Sequence, residues 1–127
     1  MKRDWDVIRE VLIEVEELTE QQRVLFQYGS DPNASDEAKL RAAHAALLLD
    51  AGFLTGKKIQ YQERTWPMVA MPNLTWAGHD LLDTVRSKPV WDRIKATARE
   101  KGLELTFDAV KAIGKLALEY VLKQGAG

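Results

Sequence analysis

Leu74-Thr75-Trp76-Ala77-Gly78-His79-Asp80-Leu81-Leu82 reads as the end of a strand, a helix cap and the first two turns of a helix. Thr75 supplies the capping hydroxyl, and Leu81 and Leu82 begin the inward stripe that Val85 continues. Upstream, Leu47-Leu48-Leu49-Asp50-Ala51-Gly52-Phe53-Leu54 is a helix end running into a strand, with Gly52 in the C′ position where a left-handed backbone closes a helix. Between these two points, residues 58–62 alternate, with Ile59 and Tyr61 on one side and Lys58, Gln60 and Gln62 on the other. Arg64-Thr65-Trp66-Pro67 is the turn, and Met68 to Leu74 returns, with Pro72 marking an edge strand. The centre of the chain is thus a helix, a β-hairpin and a second helix.

Working outward, Trp5, Ile8, Leu12 and Val15 recur at helical spacing, so residues 4–18 form an amphipathic helix capped by Asp4. Arg23 to Tyr28 reads as a short strand, and Gly29-Ser30-Asp31-Pro32-Asn33 as a turn. Ser35 caps the helix of residues 36–51, which sets Leu40, Ala43, His44, Leu47 and Ala51 on its inner face. Beyond residue 86, Ser87-Lys88-Pro89 opens a helix that turns Trp91, Ile94 and Ala98 inward and ends at Gly102. Leu103 to Leu105 adds a short extended piece, and Thr106 caps a final helix whose apolar stripe is broad enough to be nearly all buried or to form a dimer face. The expected fold is α+β, mainly helical: a winged-helix-like domain of helix, short strand, helix, β-hairpin wing and helix, with two additional C-terminal helices. It forms a single domain over 1–127, with a core over 1–87 whose wing spans about 54–74, and a helical extension over 88–127.

Composition narrows the function classes. The 127 residues contain no cysteine, which removes disulfides, thiolate metal sites and thiol nucleophiles. The first residues lack the apolar core of a signal peptide, and no apolar run reaches membrane-spanning length. A cytoplasmic protein without membrane association is the expectation. The net charge of −1 gives no global pull toward nucleic acid. Its distribution is uneven: residues 1–20 carry three basic and seven acidic side chains, and residues 86–101 six basic and two acidic.

Little in the chain suggests catalysis. His44 and His79 are the only histidines; His44 lies beside Leu40 and Leu47, where a packing role accounts for it, and His79 shares a helical stripe with Asp83 and Arg86. There is no His-x-x-x-His pair, glycine-rich phosphate loop or nucleophile elbow. No enzyme activity, metal, cofactor or small-molecule substrate is expected.

The chain resembles the bacterial and prophage-associated family known as domain of unknown function 2513. The resemblance rests on Met-Lys-Arg-Asp with Asp6-Val-Ile-Arg9, on His44-x-x-Leu47-Leu48-x-x-Ala51-Gly52, and on Leu74-Thr75-Trp76-Ala77-Gly78-His79-Asp80-Leu81-Leu82-Asp83-Thr84-Val85-Arg86 followed by Trp91-x-x-Ile94-Lys95. It implies a small winged-helix-like protein, often carried by phages or prophages, and brings no activity. The gap between the first helix and residues 36–51 accommodates only a strand and a turn, so the middle helix of a standard winged helix is expected to be missing.

Two binding classes follow. As a nucleic-acid reader, the protein would use helix 36–51 and the wing, with Lys39, Arg41, Lys57, Lys58, Arg64, Arg93, Lys95 and Arg99 as contacts. Asp36 and Glu37, at the end of that helix that would approach phosphates, oppose this reading. As an interaction or regulatory module, it would offer Ala42, Ala46 and Leu49 on the outward side of the same helix, with Trp66 at the wing tip. Trp5, Trp76 and Trp91 are expected in the core. A protein partner or self-association is favoured, with duplex nucleic acid the alternative, and the resemblance points to a host or phage macromolecular machine, defence systems included, as the target.

Overall fold

A computed structural model describes residues 2–126, with side chains through Gln124. Six helices and a small antiparallel sheet follow in the order α1 (Trp5–Glu17), α2 (Glu20–Leu25), β1 (Gln27–Tyr28), α3 (Asp36–Asp50), β2 (Leu54–Ile59), β3 (Met68–Leu74), α4 (Trp76–Val85), α5 (Lys88–Lys101) and α6 (Phe107–Ala126). The fold is α+β and mainly helical. The chain divides into two compact units, Met1–His79 and Asp80–Gly127, and α4 contributes residues to both.

In the first unit, α1 starts where expected: the Asp4 carboxylate accepts from the backbone N–H groups of Asp6 and Val7. Ile8, Val11, Leu12 and Val15 are buried on its inner face. Residues 23–28 are not one strand. Thr19 and Gln22 form a capping box, each side chain accepting from the other's backbone N–H, and this closes the helical turn of α2 over Glu20–Leu25. Only Gln27 and Tyr28 pair with the sheet, so a short helix does occupy the gap before α3.

The sheet order is β1-β3-β2, which makes β3 the central strand. Pro72 is therefore not on an edge strand. It is tolerated because β1 pairs only with Val69 and Ala70, leaving no ladder partner for a Pro72 N–H. Beside it the β2–β3 register shifts between Thr55 and Lys57; Gly56 takes φ 147° there, and Met71 takes φ 53°. β2 ends at Ile59, so the alternation through Tyr61 belongs to the loop and Tyr61 is exposed.

α3 ends in a Schellman arrangement: Phe53 N–H donates to the Leu48 carbonyl and Gly52 N–H to that of Leu49, with Gly52 at φ 87°. The helix contacts α1 and all three strands. Ala42, His44, Ala45, Ala46 and Leu48 are buried, a set that covers more than one face, while Leu40, Ala43 and Leu47 are half-buried and Ala51 is exposed. The helix is an internal strut rather than an outer layer.

In the second unit, the Ser87 hydroxyl caps α5, Pro89 sits in its first turn, and Gly102 at φ 64° ends it. Leu81, Leu82, Val85, Val90, Trp91, Ile94 and Val110 form the core. Residues 103–106 are not extended into a strand, and the Thr106 hydroxyl accepts from Ala109 N–H at the start of α6. The α6 stripe is only partly covered: Val110, Ile113 and Ala117 are buried, whereas Leu116, Leu118, Tyr120 and Leu122 are exposed. Gly125-Ala126-Gly127 reads in the sequence as a frayed end, and Gly127 lies outside the described residues.

Candidate protein-interaction surface

The run from Leu74 to His79 is built residue by residue around the end of α3. Leu74 is buried and pairs with Leu54 in the last rung of the hairpin. The Thr75 hydroxyl donates to the Gly52 carbonyl at 2.6 Å and accepts from Gly78 N–H at 3.0 Å, while Thr75 N–H donates to the Phe53 carbonyl. One side chain thereby caps α4 and ties it to the α3–β2 junction. At Gly78 a Cβ would collide with the Phe53 carbonyl oxygen, so backbone approaches backbone without a side chain between. His79 is half exposed, with Nδ1 4.0 Å from Glu16 Oε2, so its partner is α1 rather than Asp83; Asp83 lies 3.5 Å from Arg86 instead.

Trp76 is the exception within this run. It is 85% exposed, against 8% and 1% for Trp5 and Trp91, so the core placement expected of all three fails for Trp76. As the first residue of α4 its side chain stands off the element that Thr75 and Gly78 hold in place. Leu25 is 84% and Val24 58% exposed on α2, and Met71 on β3 is exposed as well. Of these, α2 and β3 are neighbours: the two elements are in contact, and Met71 N–H donates to the Phe26 carbonyl. Four large apolar side chains are thus presented to solvent by α2, β3 and the start of α4 within the first unit, where scattered single exposures would be the ordinary pattern.

The outward positions proposed on α3 do not form a surface. Ala42 and Ala46 are 0% and 7% exposed, and Leu49 is half-buried, because the sheet covers the face that helical spacing alone assigned to solvent. Trp66 is held as well: its Nε1–H donates to the Gly29 carbonyl at 2.9 Å, and the Lys39 ammonium lies 4.5 Å from its ring centroid. Gln60 donates to three carbonyls of the same loop, those of Tyr61, Arg64 and Trp66. The hairpin tip is folded onto the turn after β1.

Most of the cations proposed for nucleic acid have partners within the protein. Arg64 donates to the Gly29 and Ser30 carbonyls, Arg41 pairs with Glu10 and Glu37, and Lys58 pairs with Asp50. Arg93 lies 4.1 Å from the Tyr120 ring centroid, and Lys95 5.4 Å from that of Trp91. Lys57 and Arg99 are exposed. No group of three or more His, Asp or Glu side chains that could hold a metal ion occurs among the described residues, and no described helix is long and apolar enough to cross a membrane.

Two buried polar side chains in the first unit, His44 and Tyr28, are hydrogen-bonded within the protein. His44 is fully buried, with Nε2 accepting from Asp4 N–H and Nδ1 donating to the Leu40 carbonyl, which fixes the tautomer. The Tyr28 hydroxyl donates to Glu14, and burial, reinforced by that hydrogen bond and by the Glu14 charge, pushes the phenol far above its ordinary range. Both link α1 to elements that follow it, and Tyr28 and Glu14 also line a groove of about 270 Å³ together with Asp31 and Arg41.

The family described as "Hypothetical protein (DUF2513)" matches residues 2–104. An "Uncharacterized protein" of Haemophilus influenzae (strain ATCC 51907 / DSM 11121 / KW20 / Rd) is 33% identical over 122 residues, covering 96% of this chain and 99% of that protein. No solved structure matches. With the family match spanning four of every five residues and the Haemophilus relative aligned almost end to end, the chain belongs to the DUF2513 family of uncharacterised proteins.

Proposed function

We propose that the protein is a non-enzymatic interaction module that docks on a protein partner through Trp76, with the exposed Val24, Leu25 and Met71 of the same unit as further apolar contacts. The observation that carries this reading is the 85% exposure of Trp76 beside Thr75 and Gly78, which hold the start of α4 in place without it. A tryptophan buries about 150–250 Å². At about 25 cal/mol per Å², covering it with a partner is worth roughly 4–6 kcal/mol before association costs. Such a side chain is the usual anchor of a binding hot spot.

The β1-β3-β2 sheet behind α3 supports describing the first unit as winged-helix-like, which makes a duplex reader the competing reading. Three features weigh against it. α3 is sandwiched between α1 and the sheet, Asp36 and Glu37 occupy its first turn, and most candidate phosphate contacts are engaged internally. A macromolecular machine of a host or phage is the class of partner that the family resemblance suggests.

The test pairs affinity capture of the intact protein from its host with duplex binding at low salt. The reading predicts that a captured partner is recovered by the native chain, lost with Trp76→Ala and retained with Lys57→Ala. Salt-dependent binding of random duplex that is lost with Lys57→Ala and indifferent to Trp76→Ala would replace it with the nucleic-acid reading.

A further inference from the structure

Within the Asp80–Gly127 unit lies a groove of about 420 Å³, a size typical of sites for small organic ligands. Its two walls carry opposite charge. α4 contributes Asp80 and Asp83, three residues apart, and α6 contributes Lys111 and Lys115, four apart, so each helix lines its side with one sign. Among the described residues no ion pair joins the walls: Asp83 lies by Arg86, on its own side. Val90, Gly114 and Leu118 supply apolar lining. At Gly114 a Cβ would collide with the Thr84 methyl group, so the Thr84 side chain of α4 packs directly on the α6 backbone there.

This arrangement selects for a ligand with both charges and an apolar body. A polyanion such as a nucleotide would meet two carboxylates, and a polyamine would meet two ammonium groups. Length is selected too. A ligand that meets both walls needs its two charges set apart by an apolar body, which the adjacent charges of a single amino acid do not provide. Two or three extended residues reach about 7–10 Å. We propose that this groove binds a di- or tripeptide with free termini and apolar side chains. Its ammonium group lies against Asp80 and Asp83, its carboxylate against Lys111 and Lys115, and its side chains over Val90, Gly114 and Leu118. The site is independent of the Trp76 surface.

The test is titration of the isotope-labelled full chain with Leu-Leu and Leu-Leu-Leu, followed by amide shifts. Saturable shifts confined to residues 80–90 and 111–118 are expected, with binding weakened about tenfold by N-acetylation or by C-amidation of the peptide. The paired variants Lys111→Gln with Lys115→Gln should abolish the penalty for C-amidation, and Asp80→Asn with Asp83→Asn that for N-acetylation. All four positions but the half-engaged Asp83 are free of described ion pairs, so the fold should tolerate these changes. Absence of saturable shifts at millimolar peptide overturns the proposal, as does equal binding of free and capped peptides or discrimination that the variants leave unchanged.

Discussion

The backbone N–H of Asp4 donates to Nε2 of His44 at 2.8 Å, a bond that spans 40 residues of sequence. Asp4 is the residue whose carboxylate caps α1, so His44 holds the start of α1 against the buried middle of α3. Because Nδ1–H is given to the Leu40 carbonyl, both ring nitrogens are satisfied and the histidine serves packing. His44→Ala leaves a cavity and an unpaired N–H, and should cost about 2–4 kcal/mol. His44→Gln, which can still accept from Asp4 N–H, should cost less. Urea unfolding midpoints of the two variants check the order.

Gly114 and Thr84 provide a separable packing test in the second unit. Gly114→Ala drives a methyl group into the Thr84 Cγ2 and should destabilise by about 1–3 kcal/mol. Thr84→Ser removes that methyl group while keeping the hydroxyl that donates to the Asp80 carbonyl. The double variant should therefore recover most of the loss, a coupling read directly from a double-mutant cycle by thermal unfolding.

Tyr28 predicts an alkaline response. Its folded-state pKa is raised, first by burial and then by the hydrogen bond and charge of Glu14, above the ordinary value of 10.0. A raised pKa means that the fold binds the proton more tightly than the unfolded chain does. The contribution is intact below about pH 10 and falls as pH rises above it. Stability measured across that range should decline, and Tyr28→Phe should lose about 1 kcal/mol at neutral pH while flattening the alkaline decline. An unchanged slope in Tyr28→Phe would remove Tyr28 as its source.

What the sequence disclosed follows from what periodicity and capping can carry. α1, α4 and α5 were legible because each buries one face, and Asp4, Thr75 and Ser87 mark their starts. The outward face of α3 was misread because the helix is covered by α1 on one side and the sheet on the other, and alanines at 42, 45 and 46 suit a tight interior as well as a small-residue surface. α2 was hidden because Val24, Leu25 and Phe26 form an apolar run that resembles a strand, although Thr19-x-x-Gln22 carried the capping signal. Trp76 was misplaced because residue type favours burial, and only the geometry of Thr75 and Gly78 shows that α4 is fixed without it.

The central claim is that Trp76 serves contact and not packing, and urea unfolding of Trp76→Ala tests it without knowledge of the partner. An exposed side chain predicts a change within about 0.5 kcal/mol of the native chain. A loss of about 3–5 kcal/mol, the cost of emptying a core tryptophan site, would show that Trp76 belongs to the fold and would contradict the proposed surface.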